Sequence, residues 1–185
     1  MGADDRRRWD ERYRAQPPPS EKAVGPPSAF ADLAAVLPAS GAALDVACGD
    51  GRTAVWLAHR GLDVLAVDVS GEAVGRARDL ASAAGVADRC QVVRGDLDEG
   101  LPAGPVVDVL VCHLFDAPHL DDELVARLGT GGLLAVAVLS EVGGRPGRFR
   151  VAPGALLARF GDRPELEVLD HREADGVARI LARRK

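Results

Sequence analysis

The stretch that decides the fold is LDVACGDGRTA, residues 44–54. An apolar run is interrupted at Asp45, a turn containing Gly49 and Gly51 follows, and a helical pattern begins directly after that turn. This order predicts a buried strand, a tight loop and a helix, which together form the repeating unit of a parallel sheet. Two glycines in so short a loop indicate that a bound group approaches the backbone closely here.

The composition is that of an ordinary globular domain and argues against several classes of protein. The 185 residues are 47% hydrophobic and 28% charged. A net charge of −5 disfavours a nucleic-acid partner, although arginines near the N-terminus and in residues 141–152 could cluster in space. No apolar stretch approaches the roughly 20 residues that cross a bilayer, and the charged N-terminus does not resemble a secretory signal. We therefore expect a cytoplasmic protein without membrane association, and the oligomeric state stays open.

The number and spacing of the cysteines also fit a cytoplasmic protein. Cys48, Cys90 and Cys112 are odd in number and far apart, which argues against a disulfide framework or a metal site and fits a reducing environment. Cys48 falls inside the glycine-rich turn. A packing role is favoured there over a nucleophilic one, because no histidine or basic residue adjoins it in the sequence.

The chain divides into an N-terminal segment, residues 1–27, and one domain, residues 28–185. Residues 5–15 predict a polar helix with Trp9 and Tyr13 on one face, and the five prolines of QPPPSEKAVGPPS then predict an extended flap. From Ser28, a predicted helix N-cap, helices and apolar strands alternate. Ser70 caps the helix that starts at Gly71, and a further helix covers 119–128. Two strands joined by a few residues around Asp175 must pair antiparallel. The fold class is therefore α/β, a doubly wound Rossmann-like sheet of five parallel strands with a C-terminal antiparallel hairpin.

Three carboxylates stand at the ends of successive predicted strands: Asp45, Asp68 and Asp96. The G-x-G-x-x-A pattern that starts at Gly49, followed by Asp68, also satisfies the dinucleotide fingerprint, so a nicotinamide-dependent oxidoreductase is one interpretation. Three acceptor-only groups, however, suit a ligand rich in donors, such as an ammonium, a ribose diol and an exocyclic amine. They repel a pyrophosphate, and this disfavours the nicotinamide cofactor.

In three places the sequence resembles the class I S-adenosylmethionine-dependent methyltransferases. LDVACGDG resembles their first motif, AVDVS their acidic second strand end, and RGDLDEGLP the third. The resemblance covers residues 28–185 and implies the seven-stranded methyltransferase fold, with S-adenosylmethionine as cofactor and S-adenosylhomocysteine as product. It implies cofactor-binding roles for the following residues: Asp45, Ala47, Cys48, Gly49 and Gly51 at the methionine end, Asp68 at the ribose, and Val69, Asp96 and Leu97 at the adenine. A carboxylate such as Asp68 can accept both diol hydrogens at once.

A closer resemblance links the chain to the small tellurite-resistance-type and thiopurine-type methyltransferases. WDERYR, VCHLFD, APGALLARF and GVARILARRK carry it. It implies that the N-terminal segment folds over the cofactor, which makes Trp9 a further cofactor-binding candidate, and that the methyl acceptor is a small molecule. We expect Trp9, Tyr13 and the proline-rich segment to form a lid that becomes ordered on cofactor binding, and a disordered tail is the alternative. The chain departs from the family at Ala155, where a glutamate is frequent, so no role for that carboxylate can be transferred.

Several side chains are candidates for the acceptor side of the site. His113 follows the fourth predicted strand, beside the cofactor, and is a cofactor-binding candidate as well as a catalytic one. His119, Glu141 and Asp116 lie near the same rim, and His119 and Glu141 are the other two catalytic candidates. A half-buried structural histidine and a surface histidine are the alternatives for His113 and His119. A general base is not obligatory, because positioning alone can accelerate an in-line methyl transfer. Two other functions stay open, the nicotinamide oxidoreductase and a non-catalytic S-adenosylmethionine-binding partner protein.

The loop after the fifth predicted strand carries three arginines, at positions 145, 148 and 150. They hint at an anionic group on the substrate. A solvated basic loop is the favoured interpretation, because charged loop residues are usually hydrated.

Overall fold

The computed structural model of the protein describes residues 3–145, 147 and 149–185. Within these residues the strands are β1 (Gly41–Val46), β2 (Leu62–Asp68), β3 (Cys90–Arg94), β4 (Val107–His113), β5 (Leu128–Leu139), β6 (Leu166–Ala174) and β7 (Val177–Arg184). The α-helices are α1 (Ala3–Ala15), α2 (Arg52–His59), α3 (Gly71–Ala83), α4 (Asp121–Ala126) and α5 (Ala155–Phe160). Short 3₁₀ segments cover Glu21–Ala23, Ser28–Val36, Leu97–Glu99 and Pro118–Leu120.

The strands form one sheet in the order β3-β2-β1-β4-β5-β7-β6. β1 to β5 are parallel to one another, whereas β7 pairs antiparallel with both β5 and β6. The hairpin between β6 and β7 turns at Asp175 and Gly176, both with positive φ, as a tight two-residue turn requires. The predicted fold class, five parallel strands with a C-terminal antiparallel hairpin, is confirmed.

Two apolar layers cover the sheet, one on each face. The first contains α2, α3 and the 3₁₀ segment Ser28–Val36, whose Phe30 is completely buried. The second contains α4 and α5, whose Phe160 is completely buried. Because both faces are covered, the central strands consist of nearly continuous apolar residues. No helix within the described residues is long and apolar enough to cross a membrane.

The serine and glycine residues at the ends of α2 and α3 explain where these helices begin and end, and the predicted cap at Ser70 is present. The Ser70 hydroxyl accepts a hydrogen bond from the backbone N–H of Ala73, which caps α3. Gly61 and Gly85 follow α2 and α3 with φ of 105° and 70°, the left-handed conformation that terminates helices.

Two predicted helices are different in the structure. Residues 28–36 form a kinked 3₁₀ segment in which the Ser28 hydroxyl contacts His113 and caps no helix. The helix predicted over 119–128 is shorter, because Leu128 already pairs with Val107 as the first residue of β5. Short segments of this kind are set by the surface that they cover rather than by their own helix propensity.

Candidate functional site

The three predicted carboxylates lie along one edge of the sheet. Asp45 is the next-to-last residue of β1, Asp68 is the last residue of β2, and Asp96 follows β3 by two residues. Since β1, β2 and β3 are adjacent and parallel, their carboxyl ends meet at the same edge. Ligands of doubly wound sheets bind at such an edge.

Asp45 is buried in an unusual way. Its side chain is 2% exposed, and its Oδ2 atom has no hydrogen-bond partner among the described residues. Burial, and then the negative charge of Asp68, raise the pKa of Asp45 to about 8, against the opposing backbone N–H of Ala54. An unsatisfied buried polar group costs about 1–3 kcal/mol, so this carboxyl fits a ligand that brings a donor or a positive charge.

Asp68 connects two parts of the site. Its Oδ2 atom accepts the backbone N–H of Gly49 and its Oδ1 atom accepts that of Ser70, each at 2.9 Å. The carboxylate therefore joins the glycine-rich loop to the start of α3. Burial raises its pKa even though both N–H groups favour the charged form. Each oxygen keeps a second lone pair that can accept a ligand hydroxyl.

The glycine-rich loop has three left-handed residues, Ala47, Gly49 and Gly51, with φ of 56°, 56° and 82°. A Cβ at Gly51 would lie 2.6 Å from the Cβ of Ala77 on α3, so this glycine allows helix and loop to touch. A Cβ at Gly49 would lie 2.5 Å from the hydroxyl of Tyr13. The group that approaches the loop in the structure is therefore a side chain of α1.

Helix α1 lies over the site and is held to α3. The Asp10 carboxylate accepts the Ser70 hydroxyl at 2.6 Å and the backbone N–H of Glu72 at 3.3 Å. Arg14 pairs with Glu72 at 2.6 Å. Arg76 of α3 donates to two carbonyl groups directly after α1, those of residues 16 and 17. These contacts hold α1 over the edge of the sheet at which the three carboxylates lie.

Tyr13, and not Trp9, is the aromatic residue that the structure places on Gly49. The Trp9 ring packs on Tyr13 with 6.2 Å between centroids and is flanked by the guanidinium groups of Arg8 and Arg12. Burial, and then Asp68, raise the pKa of Tyr13, so its hydroxyl stays protonated. The i, i+4 spacing from Trp9 is the sequence signal for Tyr13, although the sequence predicts a cofactor-binding role for Trp9 alone.

Beside the strand ends lies a cleft of about 320 Å³, lined by Arg6, Val69, Arg94, Gly95, Asp96 and Glu99. The structure thus brings the predicted Val69 and Asp96 together. The Asp96 carboxylate accepts the backbone N–H of Asp98 and lies 3.9 Å from the Arg6 guanidinium. Leu97 is not brought into this cleft, because its side chain is completely buried in the apolar layer of α4 and α5.

His113 is the last residue of β4, and its partners come from the segment Ser28–Val36. Its Nε2 atom lies 3.2 Å from the Ser28 hydroxyl and accepts the backbone N–H of Ala29 at 3.4 Å. Burial lowers the pKa of His113 to about 4. The imidazole is therefore neutral near pH 7 and is a weak base.

The other acceptor-side candidates are held by separate partners. His119 contacts the carbonyl of Leu97 at 3.0 Å and lies 4.0 Å from Asp98. Asp116 pairs with Arg159 at 2.6 Å, so its carboxylate is used in an ion pair. Glu141 is exposed in the loop after β5, and its backbone N–H donates to Val151. The described contacts therefore do not join His119 and Glu141 to His113.

Arg150, in the loop after β5, and Cys48, in the glycine-rich loop, both make structural contacts. Arg150 donates to the carbonyls of Ser140 and Gly176 at 2.6 and 2.8 Å, so it ties the loop to the hairpin. These bonds give Arg150 a structural role, Arg148 lies outside the described residues, and an anion-binding role of this loop stays a prediction. The Cys48 thiol lies 3.7 Å from the carbonyl of Gly49, and burial and then Asp45 raise its pKa, which agrees with a packing role.

Comparison with known proteins gives a family and a fold. Residues 43–132 match a family model described as a methyltransferase domain. This match spans β1 to the start of β5 and includes all three acidic strand ends. No curated protein matches the sequence.

Among solved structures, TehB from Haemophilus influenzae aligns with a TM-score of 0.71 at 17% identity, over 97% of this chain and 67% of that chain. The glycopeptide N-methyltransferase MtfA, in complex with S-adenosylhomocysteine, gives 0.67 at 17% identity over 86% and 90%. The [4+2]-cyclase SpnF gives 0.68 at 21% identity over 83% and 78%. At these identities the likeness shows a shared fold, and TehB agrees with the tellurite-resistance resemblance of the sequence.

The match to a methyltransferase domain also distinguishes the two cofactors that the glycine-rich turn allowed, because S-adenosylmethionine donates a methyl group whereas a nicotinamide transfers a hydride. The cofactor is S-adenosylmethionine, and the nicotinamide alternative is set aside. Taken with the strand order of the sheet, these findings show that residues 43–132 match a methyltransferase domain and that the chain has the fold of the class I S-adenosylmethionine-dependent methyltransferases.

Proposed function

We propose that the chain transfers the methyl group of S-adenosylmethionine to a small-molecule acceptor by in-line displacement. The observation that carries this proposal is the buried, unpartnered oxygen of Asp45 at the same sheet edge as Asp68 and Asp96. When bound, the cofactor supplies a methyl group on a positively charged sulfur, which is already activated for attack. The chain's own residues then have to bind, orient and exclude water.

Each carboxylate has a distinct proposed task. Asp45 accepts from the ammonium of the methionine end, which satisfies its free oxygen and favours its charged form. Asp68 uses its remaining lone pairs for the ribose hydroxyls while its two backbone bonds hold it still. Asp96 accepts from the adenine amine, and Val69 packs on the ring, since both line the cleft. Left-handed backbone at Ala47, Gly49 and Gly51 keeps the loop close to the ligand, with Cys48 packed beneath it.

The N-terminal segment, residues 1–27, is proposed to act as a lid on the domain formed by residues 28–185. Its closed position is supported by the hydroxyl of Tyr13 on Gly49 and by the bonds of Asp10 to Ser70 and Glu72. A ligand that reaches the glycine-rich loop has to move Tyr13 aside or bind against it. We propose that α1 opens to admit the cofactor and closes over it, which excludes water from the transfer.

A small acceptor is supported by the short connections between the strands. Within the described residues, α1 with its proline-rich flap and the loop that follows β5 are the segments that can build an acceptor pocket. Positioning in such a pocket can supply about 7–11 kcal/mol in favourable cases. His113 is the proposed acceptor-side residue, while the catalytic roles of His119 and Glu141 stay predictions. Three free cysteines support a reducing compartment such as the cytoplasm.

The test is an acceptor screen on the full chain. The protein is incubated with S-adenosylmethionine and small thiols, amines, phenols and inorganic oxyanions, and the products are read by mass spectrometry for the gain of one methyl group. Asp68→Ala is the negative control. A methylated product that this variant does not form supports the proposal. Cofactor binding without transfer to any acceptor contradicts it and favours the non-catalytic binding protein.

A further inference from the structure

Arg179 of β7 is a buried cation with an unusual set of partners. Its side chain is 9% exposed. One end of the guanidinium donates to both carboxylate oxygens of Asp32 and to the carbonyl of Ala29 at 2.6 Å, while Nε donates to Asp170 at 2.9 Å. Two of these partners belong to the segment Ser28–Val36, which is distant in sequence from β7. Arg179 therefore fastens this segment to the sheet by charge-assisted hydrogen bonds.

Arg179 and His113 lie in register across the sheet, on either side of the same residue of β5. Arg179 pairs with Ala137 of β5, and Ala137 pairs with His113 of β4. Residues directly opposite one another in adjacent strands project to the same face. The segment Ser28–Val36 packs on this face, because its Phe30 shares an apolar layer with Ala137.

Ala29 is the bridge between the two side chains. Its carbonyl accepts from Arg179, and its backbone N–H donates to Nε2 of His113 at 3.4 Å. A backbone N–H cannot accept a hydrogen bond, so this contact requires an unprotonated Nε2. In a neutral imidazole the proton is then on Nδ1. None of the described residues is bonded to that Nδ1 atom, so its N–H is available to a ligand.

We propose that Arg179 is a positioning residue for methyl transfer: by holding Ala29 and Asp32, it keeps the N–H of Ala29 on His113 and fixes the tautomer that presents an Nδ1–H donor to the methyl acceptor. The part of this inference that concerns the acceptor rests on the proposed function. The part that concerns the tautomer does not. His113 then orients the acceptor through a donated hydrogen bond and does not remove its proton.

The experiment measures the tautomer of His113 by ¹⁵N NMR in the full chain at neutral pH, without cofactor. Arg179→Met removes the guanidinium, whose central carbon lies 5.9 Å from the centroid of the Phe30 ring, and leaves an unbranched apolar side chain in its place. Arg183→Met is the matched control, because Arg183 lies on the same strand, is exposed, and has only a loose ion pair with Glu167 at 3.6 Å. Asp32→Ala is a milder second variant at a side chain that is 57% exposed.

Wild-type protein and Arg183→Met are expected to carry the His113 proton on Nδ1, whereas Arg179→Met carries a mixture of tautomers. Arg179→Lys is expected to restore part of the wild-type signal. With the best acceptor from the screen, Arg179→Met should lower kcat about tenfold, as expected for one lost hydrogen bond, and leave the Kd for S-adenosylmethionine unchanged.

Two results overturn the inference. One is a wild-type His113 that carries its proton on Nε2. The other is a tautomer that Arg179→Met leaves unchanged or, if that variant does not fold, that Asp32→Ala and Arg179→Lys both leave unchanged. Since the NMR measurement needs neither cofactor nor acceptor, a failure of the proposed function in the screen is distinguishable from a failure of this inference.

Discussion

The carboxylate of Asp68 accepts the backbone N–H of Gly49 at 2.9 Å, so the end of β2 fixes the loop that follows β1. The same negative charge contributes to the raised pKa of Asp45 beneath that loop. One residue therefore shapes the glycine-rich loop and prepares a neighbouring carboxyl for a cation. This relationship joins the two halves of the candidate cofactor site.

Cofactor binding at pH 7 is expected to release protons. The pKa of Asp45 is about 8 in the free protein, so this carboxyl is mostly protonated at pH 7, and a bound ammonium favours its charged form. Calorimetric titration with S-adenosylmethionine in phosphate and in Tris measures the release, because the two buffers differ in ionisation enthalpy. Asp45→Asn should bind more weakly and show the same enthalpy in both buffers. A wild-type enthalpy that does not depend on the buffer would contradict the role of Asp45.

The packing of the glycine-rich loop on α3 predicts opposite effects of two glycine substitutions. Gly51→Ala should lower the free energy of unfolding by about 1–3 kcal/mol, because φ is 82° and the new Cβ would lie 2.6 Å from that of Ala77. Gly75→Ala, in the middle of α3 with open space around it, should raise that free energy by about 0.5–1 kcal/mol. Urea unfolding measures both, and equal effects would show that loop and helix do not touch.

The proposed lid predicts how fast a protease cleaves the linker that follows α1. Asp10→Ala removes the acceptor of both the Ser70 hydroxyl and the Glu72 N–H, so α1 should leave α3 more often and residues 16–27 should be cleaved faster. Glu11→Ala, at an exposed position of the same helix, is the control. Saturating S-adenosylmethionine should slow the cleavage of the wild-type chain. Identical cleavage of the two variants, or no protection by the cofactor, argues against the lid.

The lowered pKa of His113 predicts that part of the free energy of unfolding depends on pH. Burial lowers its pKa to about 4, so between that value and about 6.5 the unfolded chain binds more protons than the folded one. The stability associated with the neutral imidazole is therefore present above about pH 6.5 and is lost as the pH falls toward 4.

His113→Asn should accordingly remove most of the pH dependence of the free energy of unfolding between about pH 4 and 6.5, on the order of 3 kcal/mol in total. His59→Asn, at an exposed position of α2, is the control. Urea unfolding over this pH range measures the slope. A slope that is the same for wild type and His113→Asn would mean that the imidazole is already solvated in the folded protein.

The strand order and the acidic strand ends follow from local sequence signals. Near-continuous apolar strands, the Ser70 cap and the terminal glycines of α2 and α3 each encode a local conformation, and the handedness of βαβ units leaves few ways to assemble them. The positions of Asp45 and Asp68 at strand ends are therefore predictable from the sequence alone. Their burial and hydrogen bonds are not, because these depend on how α1, α3 and the glycine-rich loop pack together.

Contacts between distant segments could not be predicted in the same way. Tyr13 reaches Gly49 only because α1 crosses α3, and Arg179 reaches Ala29 across 150 positions of sequence. No periodicity encodes such a pair. The orientation of Leu97 could not be predicted either. A residue next to Asp96 can point into the core or into the cleft, and Leu97 points into the core.

The most direct test of the central claim is calorimetric titration of S-adenosylmethionine into wild type, Asp68→Ala and Asp63→Ala. Asp63 lies on the same strand as Asp68, but its side chain is 79% exposed and it has only a loose ion pair with Arg89. We predict that Asp68→Ala weakens binding about tenfold to a hundredfold, since charge-assisted hydrogen bonds are lost, and that Asp63→Ala binds like wild type. Equal binding by all three proteins, or no binding by wild type, would contradict the assignment of the cofactor to this sheet edge.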